Sequence, residues 1–172
     1  MDDFEQVVPK LVKLELFSDF SAEKPEDLRI LRAVYDDLSI KKFKSGEMII
    51  KEGERGDSFF ILYTGSVQVQ QKTLATDTIA LANLNADQGV FFGEAALIGH
   101  DVRSATVIAL TDCSTIVLSG RKFLDLCERE PIFGYHVTYR IAQRLAATIR
   151  KTNRDKTVLY EALLNEVDGS EH

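Results

Sequence analysis

The sequence lacks several features that mark particular protein classes. Its 172 residues include only two cysteines, and Cys113 and Cys127 have neither metal-ligand nor redox spacing. No run of about 18 apolar residues is present, and no charged-then-apolar leader opens the chain. These absences argue against a disulfide framework, a membrane span and a secretory signal. We expect a soluble cytoplasmic protein in which both cysteines are small packing residues.

An excess of positive charge is also missing. The chain has 21 lysines and arginines against 27 aspartates and glutamates, which gives a formal net charge of -6. General nucleic-acid binders are usually basic, so direct DNA binding is not expected. The length suits a single domain with a sizeable core.

Helical periodicity is present at both ends of the chain. Apolar spacing predicts an amphipathic helix over residues 3–17, which Pro9 is expected to divide into two short helices. A second helix is predicted to open at Pro25. Near the other end, Pro131 is expected to end one helix or start the next. Apolar residues recurring every fourth position over residues 133–149 predict one long helix.

Residues 40–118 have the apolar alternation of β-strands. About eight short strand-like runs, separated by glycine and acidic turns, predict an antiparallel sandwich or rolled barrel. The glycine-rich segment Gly53–Asp57 lacks the lysine-threonine ending and the following helix of a P-loop, so we interpret it as a hairpin turn. The polar residues 72–78 are interpreted as a solvent-exposed hairpin tip.

One stretch, residues 91–107, combines groups that suit a sugar phosphate. Phe-Gly-Glu at residues 92–94 ends an apolar strand, a short helical turn follows, and Arg-Ser-Ala at residues 103–105 opens another strand. Glycine and a helix N-terminus favour close approach of an anion, and an arginine can bind that anion with two N–H groups. Glu94 would repel the anion, so we expect it to accept hydrogen bonds from sugar hydroxyls. The stretch therefore predicts a pocket for a ribose cyclic phosphate.

These motifs resemble the phosphate-binding cassette of the cyclic nucleotide-binding domain family, whose pattern is Phe-Gly-Glu, a short apolar helix and Arg-(Ser/Thr/Ala)-Ala. That family includes catabolite activator proteins, kinase regulatory regions and gated channels. The resemblance extends upstream through Phe43–Ile50, Glu52–Asp57 and Phe60–Val67. It implies an α+β fold: an antiparallel β jelly-roll (double-stranded β-helix) barrel of about eight strands with N-terminal helices, a short cassette helix and C-terminal lid helices.

The resemblance also implies the parts of the domain. Residues 1–39 form an N-terminal helical segment, residues 40–118 form the β-roll with the cassette at 91–107, and residues 119–172 form the lid helix and tail. The chain ends without a helix-turn-helix after the lid helix. A transcription factor of the activator type is therefore not expected.

A role for each pocket residue follows from the same resemblance. Backbone N–H groups of Gly93, Ser104 and Ala105 bind the phosphate with the Arg103 guanidinium, and Glu94 accepts from the ribose 2′-hydroxyl. The other candidates lie in the cassette, the apolar wall and the lid: Phe92, Ala95, Ala96, Val69, Leu81, Leu84, Thr148 and Arg144. Thr148 is the predicted contact to the base. Core packing stays open as an alternative for the wall, a plain surface position for Thr148 and solvation for Arg144.

Three broader alternatives also remain at this point. Glu94 and Arg103 could form a buried ion pair that only ties down a loop, although such pairs contribute little stability. A cupin-type metalloenzyme would need several converging imidazoles, whereas the chain has only His100, His136 and His172. A ligand-free pseudo-domain could serve as an interaction scaffold.

We therefore expect a cyclic nucleotide sensor without a metal and without catalytic chemistry. Thr148 and Ser104 favour cAMP over cGMP. By the resemblance, cGMP-binding members of the family often have threonine at the position of Ser104. Ligand binding is expected to close the lid helix and so shift a conformational equilibrium. The apolar stripe over residues 158–167 is the expected output, either as a dimer seam or as a docking face for an effector.

Overall fold

The computed structural model of the chain describes residues 4–73, 77–98 and 102–169, with backbone only at Ala96, Ile98, Leu163 and residues 166–169. The helices in these ranges are α1 (Phe4–Leu11), α2 (Pro25–Asp37), α3 (Ala95–Ile98), α4 (Gly120–Arg129) and α5 (Pro131–Gly169). The strands are β1 (Ser39–Phe43), β2 (Met48–Ile50), β3 (Ser58–Thr64), β4 (Ser66–Lys72), β5 (Thr78–Asn85), β6 (Phe91–Phe92), β7 (Thr106–Ala109) and β8 (Cys113–Ser119). Two 3₁₀ turns occupy Glu15–Phe17 and Ala86–Gln88.

The eight strands form two antiparallel sheets of four strands each. Their orders are β1-β8-β3-β6 and β2-β7-β4-β5. Strands that are far apart in the sequence pair with each other, as Ser39 does with Val117 and Met48 with Ile108. Such crossed connections between two sheets are those of a jelly roll. The predicted α+β fold, an antiparallel β jelly roll with flanking helices, is thus confirmed.

Two apolar layers hold the roll and the helices together. The layer between the sheets includes Ile50, Phe60, Leu62, Val67, Phe92, Val107 and Val117. The layer that joins the first sheet to the helices includes Leu11, Leu31, Phe59, Ile116, Leu126 and Phe133. The first sheet therefore has apolar contacts on both faces. This explains why every residue of β8 except Ser119 is buried, a pattern that alternation alone does not produce.

Two local predictions were wrong in position or kind. Helix α1 continues through Pro9 to Leu11, because Val7, Val8 and Leu11 are buried while the proline ring is exposed. The break therefore falls after Leu11, and the 3₁₀ turn follows it. The segment Gly53–Asp57 is not a hairpin, because the strands that it joins, β2 and β3, belong to different sheets.

The long helix α5, called the lid helix below, is anchored at its start and extends beyond the roll. Phe133, Val137 and Ile141 are almost fully buried, and Arg140 donates two hydrogen bonds of 2.7 Å to the Asp19 carboxylate. From residue 150 onward, every described side chain of the helix is exposed. Among the described helices, none has both the length and the apolar content that a bilayer span requires.

The turn between β3 and β4 offers a test of the packing. Gly65 has a φ of 84°, and an added Cβ would lie 2.7 Å from the Asp112 carbonyl oxygen. Gly46 has a φ of 85° but nothing within 4 Å of an added Cβ. Gly46→Ala should cost about 1–2 kcal/mol of unfolding free energy through backbone strain. Gly65→Ala should cost about 1–3 kcal/mol more through overpacking, as measured by urea denaturation. Equal losses in the two variants would contradict this account.

Candidate ligand-binding site

A hollow of about 230 Å³ lies between the roll and the lid helix. Its lining comes from both sheets, the cassette and α5: Ile50, Val69, Leu84, Phe91, Phe92, Gly93, Glu94, Arg103, Ser104, Ala105, Val107 and Arg144. Most of the residues that the sequence predicted for the site are therefore brought together in one place. Ile50, Phe91 and Val107 were not predicted, since buried apolar strand residues carry no signal that separates a ligand wall from a core.

Arg103 is held in the hollow by neutral backbone oxygens. Its Nη2 donates to the Ser58 carbonyl at 2.6 Å, and its Nη1 lies 3.5 Å from the Gly93 carbonyl oxygen. Burial lowers the pKa of Arg103, and the nearby Asp57 carboxylate partly opposes that shift. No carboxylate within the described ranges forms an ion pair with Arg103. The guanidinium keeps its charge at neutral pH, so this part of the hollow suits an anion.

Two glycines make room for the Arg103 side chain. An added Cβ would lie 2.7 Å from Arg103 Nη1 at Gly93 and 2.5 Å from Arg103 Nε at Gly56. Gly93 also has a φ of 78°, which side chains other than glycine rarely adopt. Gly93 is therefore required for its backbone conformation and for the space beside it. The role of Gly56 has no signal in the sequence, where its glycine-rich segment indicates only a turn.

The backbone of Arg103 is tied to that same segment, Gly53–Asp57. The Arg103 N–H donates to the Glu54 carbonyl at 2.9 Å, and the Gly53 N–H donates to the Arg103 carbonyl at 3.0 Å. These two bonds fix the point where the cassette returns to the roll. The connection between the sheets thus positions the arginine as well as linking β2 to β3.

Glu94 forms its ion pair with the lid helix. Arg144 Nε lies 3.2 Å from Glu94 Oε1, and the Glu94 side chain is only 18% exposed. The Arg144 guanidinium carbon also lies 4.0 Å from the centroid of the Phe91 ring, which is a cation–π contact. The alternative of a Glu94–Arg103 ion pair is therefore wrong for this structure. Arg144 contacts the hollow rather than solvent alone.

Three predicted residues, Leu81, Thr148 and Ala95, are not part of the described lining. Leu81 is 51% exposed, and Thr148 is exposed with its hydroxyl donating to the backbone carbonyl four residues earlier at 3.0 Å. Ala95 is exposed at the start of α3, and the side chain of Ala96 lies outside the described part of the structure. Residues 99–101 of the cassette also lie outside it. Contacts from these residues to a ligand stay predictions.

The lining combines three kinds of group. Arg103 and Arg144 are cations, Glu94 is a hydrogen-bond acceptor, and Val69 and Leu84 supply an apolar wall. Such a set can hold an anion, a hydroxyl group and an apolar ring next to one another. Within the described residues, no group of three or more histidine, cysteine, aspartate or glutamate side chains is placed to hold a metal ion.

Comparison with known sequences is consistent with this chemistry. The model of the family described as cyclic nucleotide-binding domain matches residues 40–130, which is more than half of the chain. cGMP-dependent protein kinase 2 of Homo sapiens is 41% identical over 100 residues, which are 58% of this chain and 13% of the kinase. The cAMP-activated global transcriptional regulator CRP of Pasteurella multocida is 33% identical over 115 residues, which are 66% of this chain and 54% of the regulator. This chain thus spans a small part of the kinase and about half of the regulator.

Solved structures show the same architecture. A cyclic nucleotide-binding domain from Methylobacillus flagellatus has a TM-score of 0.72 and 26% identity, covering 88% of this chain and 81% of that chain. The catabolite activator protein of Thermus thermophilus has a TM-score of 0.70 and 25% identity, covering 84% of this chain and 62% of that chain. By its matched sequence, its jelly roll and its cassette, this chain belongs to the cyclic nucleotide-binding domain family.

Proposed function

We propose that this chain is a cyclic nucleotide sensor that favours cAMP and passes its occupancy to a partner protein through the lid helix. The observation that carries the proposal is the Arg103 guanidinium. It lines the hollow between two glycines, and neutral carbonyls rather than carboxylates accept its hydrogen bonds. A charge held in this way favours an anion such as a cyclic phosphate.

The parts of the nucleotide fit different parts of the lining. The cyclic phosphate is proposed to lie against Arg103 and the backbone N–H groups of Gly93, Ser104 and Ala105, where the Ser104 hydroxyl adds a donor. The ribose 2′-hydroxyl donates to Glu94 beside it. The base lies against the apolar wall that Val69, Leu84 and Phe92 supply. Phe92 is held in place by stacking on Phe60, with 5.5 Å between the ring centroids.

Ligand entry is proposed to displace Arg144. The hollow of about 230 Å³ is smaller than the roughly 300–1,000 Å³ of ordinary small-molecule sites, and Arg144 forms part of its wall. Arg144 also forms an ion pair with Glu94, which is the proposed hydrogen-bond acceptor for the ribose. Thr148 and Leu81 do not line the hollow in this structure, and they would contact the base after the lid helix moves. Occupancy and lid position are then coupled, because the nucleotide binds one arrangement better than the other.

The output is proposed to be the exposed end of the lid helix. Val158, Leu159, Tyr160 and Leu164 are each 59–68% exposed in a part of the helix where every described side chain is exposed. Burial against a protein partner, either an effector or a second copy, would remove this apolar surface from water. The formal net charge of -6 does not favour DNA as that partner.

Binding without chemical conversion is proposed for the nucleotide itself. Among the described residues, the ionisable side chains of the hollow are Glu94, Arg103 and Arg144. Arginines stay protonated and hold anions rather than transfer protons. The Glu94 carboxylate forms an ion pair with Arg144. These groups suit retention of a ligand better than general acid–base catalysis.

The nucleotide preference has one rival. Ser104 favours cAMP by the family pattern, whereas relatives such as cGMP-dependent protein kinase 2 have names that point to cGMP. Isothermal titration calorimetry with cAMP, cGMP and 5′-AMP is the direct test. We expect cAMP to bind most tightly and 5′-AMP to bind weakest. Tighter binding of cGMP would reverse the preference, and no binding of either cyclic nucleotide would favour the scaffold alternative.

Arg103→Ala should weaken cAMP binding by about 1.5–3 kcal/mol, roughly ten- to a hundredfold, because a charge-assisted hydrogen bond to the phosphate is lost. Arg121→Ala is the matched control, since it removes the same charge from an exposed residue of α4. Calorimetry on both variants, with thermal unfolding to check the fold, makes the comparison. Equal affinities of the two variants would show that Arg103 does not hold the phosphate.

Glu94→Gln should weaken cAMP binding more than it weakens binding of 2′-deoxy-cAMP. The reason is that the carboxylate acts on the 2′-hydroxyl, which the deoxy analogue lacks. The ratio of the two affinities removes any common effect of releasing Arg144. Glu128→Gln, which neutralises an exposed carboxylate of α4, should leave the ratio unchanged. If Glu94→Gln leaves the ratio of the two affinities unchanged, Glu94 does not bind the ribose 2′-hydroxyl.

A further inference from the structure

The second sheet ends at a long, exposed strand. β5 pairs with β4 from Thr78 to Asn85 and is the last strand in the order β2-β7-β4-β5. Every side chain of β5 is exposed except that of Leu84, which is half-buried. In an antiparallel strand, backbone N–H and C=O groups point alternately to both sides. The side of β5 that faces away from β4 therefore presents a row of donors and acceptors.

The other sheet edges carry the protection that natural sheets use against unwanted pairing. β2 and β6 have only three and two residues. β1 has adjacent lysines, Lys41 and Lys42. β5 has eight residues and none of them is charged. Leu81 forms a bulge in β5, because Val69 of β4 pairs with Ala82 and Gln70 pairs with Ala80. β5 pairs with β4 on both sides of this bulge. Among the described edge strands, β5 is thus the long one that contains no charged residue.

We propose that this edge pairs with β5 of a second copy of the chain. The two strands would run antiparallel about a two-fold axis and join two four-stranded sheets into one of eight strands. Because β5 has no charged residue, self-pairing opposes no like charges in any register. Two copies with a net charge of -6 repel each other as wholes, and an uncharged edge adds no further repulsion at the contact.

The polar side chains of β5 also suit an identical partner. Thr78, Asn83 and Asn85 each have both a donor and an acceptor, so each can hydrogen bond to any neutral polar residue that the seam places opposite it. Carboxylates and ammonium groups lack this property. A row of neutral amides already reaches the edge, because Gln70 Nε2 donates to Gln68 Oε1 at 2.6 Å and Gln68 Nε2 donates to Asn83 Oδ1 at 2.9 Å.

The seam uses the backbone edge of β5, whereas nucleotide binding uses side chains of that strand. Leu84 lines the hollow, and Leu81 is proposed to contact the base. The exposed end of the lid helix takes no part in it. Failure of the seam would therefore leave the proposed sensor function untouched.

Ile79→Lys tests the seam with a close control. Ile79 is 48% exposed on β5, and Met48 is 50% exposed on β2 at the opposite edge of the same sheet. Sedimentation velocity over a wide concentration range should show a monomer–dimer equilibrium for the parent and for Met48→Lys. Ile79→Lys should raise the dimer Kd about tenfold or more, since lysine is a residue with which natural sheets prevent pairing at an exposed edge. Ala80→Lys repeats the test if Ile79→Lys fails to fold.

Hydrogen exchange locates the contact independently. Amides of β5 should exchange more slowly as the concentration of the parent rises, and this effect should vanish in Ile79→Lys. A parent that stays monomeric at every concentration would overturn the proposal, as would equal weakening by the two lysine variants. Concentration-dependent protection in α5 instead of β5 would assign the contact to the lid helix. Protection of β5 only by a different added protein would show a foreign strand as its occupant.

Discussion

A positive charge held by neutral oxygens is the constraint on which this domain depends. Withdrawing a guanidinium from water is costly, and the Ser58 carbonyl offsets the lost hydrogen bonding without cancelling the charge. Gly56 and Gly93 leave the space that the group needs, and the connection between the sheets fixes its backbone. The cassette, the two glycines and that connection therefore act together to keep Arg103 available to an anion.

The second important contact joins the cassette to the lid helix. Glu94 and Arg144 come from elements on opposite sides of the hollow, and the Phe91 ring lies under the same guanidinium. One turn earlier, Arg140 holds the helix to Asp19 in the N-terminal segment. The lid helix is thus fixed at adjacent turns to two different parts of the domain. A ligand that competes for Glu94 would release one of these attachments and leave the other in place.

Much of this arrangement could be predicted from the sequence, because it depends on local patterns. Apolar alternation indicated the strands, and the order Phe-Gly-Glu to Arg-Ser-Ala indicated the cassette. Long-range pairing was less accessible, so the segment Gly53–Asp57 was interpreted as a hairpin although it crosses between sheets. The ion pair between Arg144 and Glu94 could not be predicted either, since the two residues are far apart in the chain. Periodicity reports which face of an element is buried but not which element covers it.

The continuity of the lid helix has a mechanical consequence. From Arg144 to Gly169 the helix has no break, so at 1.5 Å per residue its end lies roughly 37 Å beyond the guanidinium. If the anchored turn near Arg140 serves as a pivot, each degree of tilt carries the far end sideways by roughly 0.8 Å. Small adjustments near the hollow are then magnified at the apolar end of the helix. For a given tilt, the displacement of the helix end increases in proportion to the length of the unbroken helix.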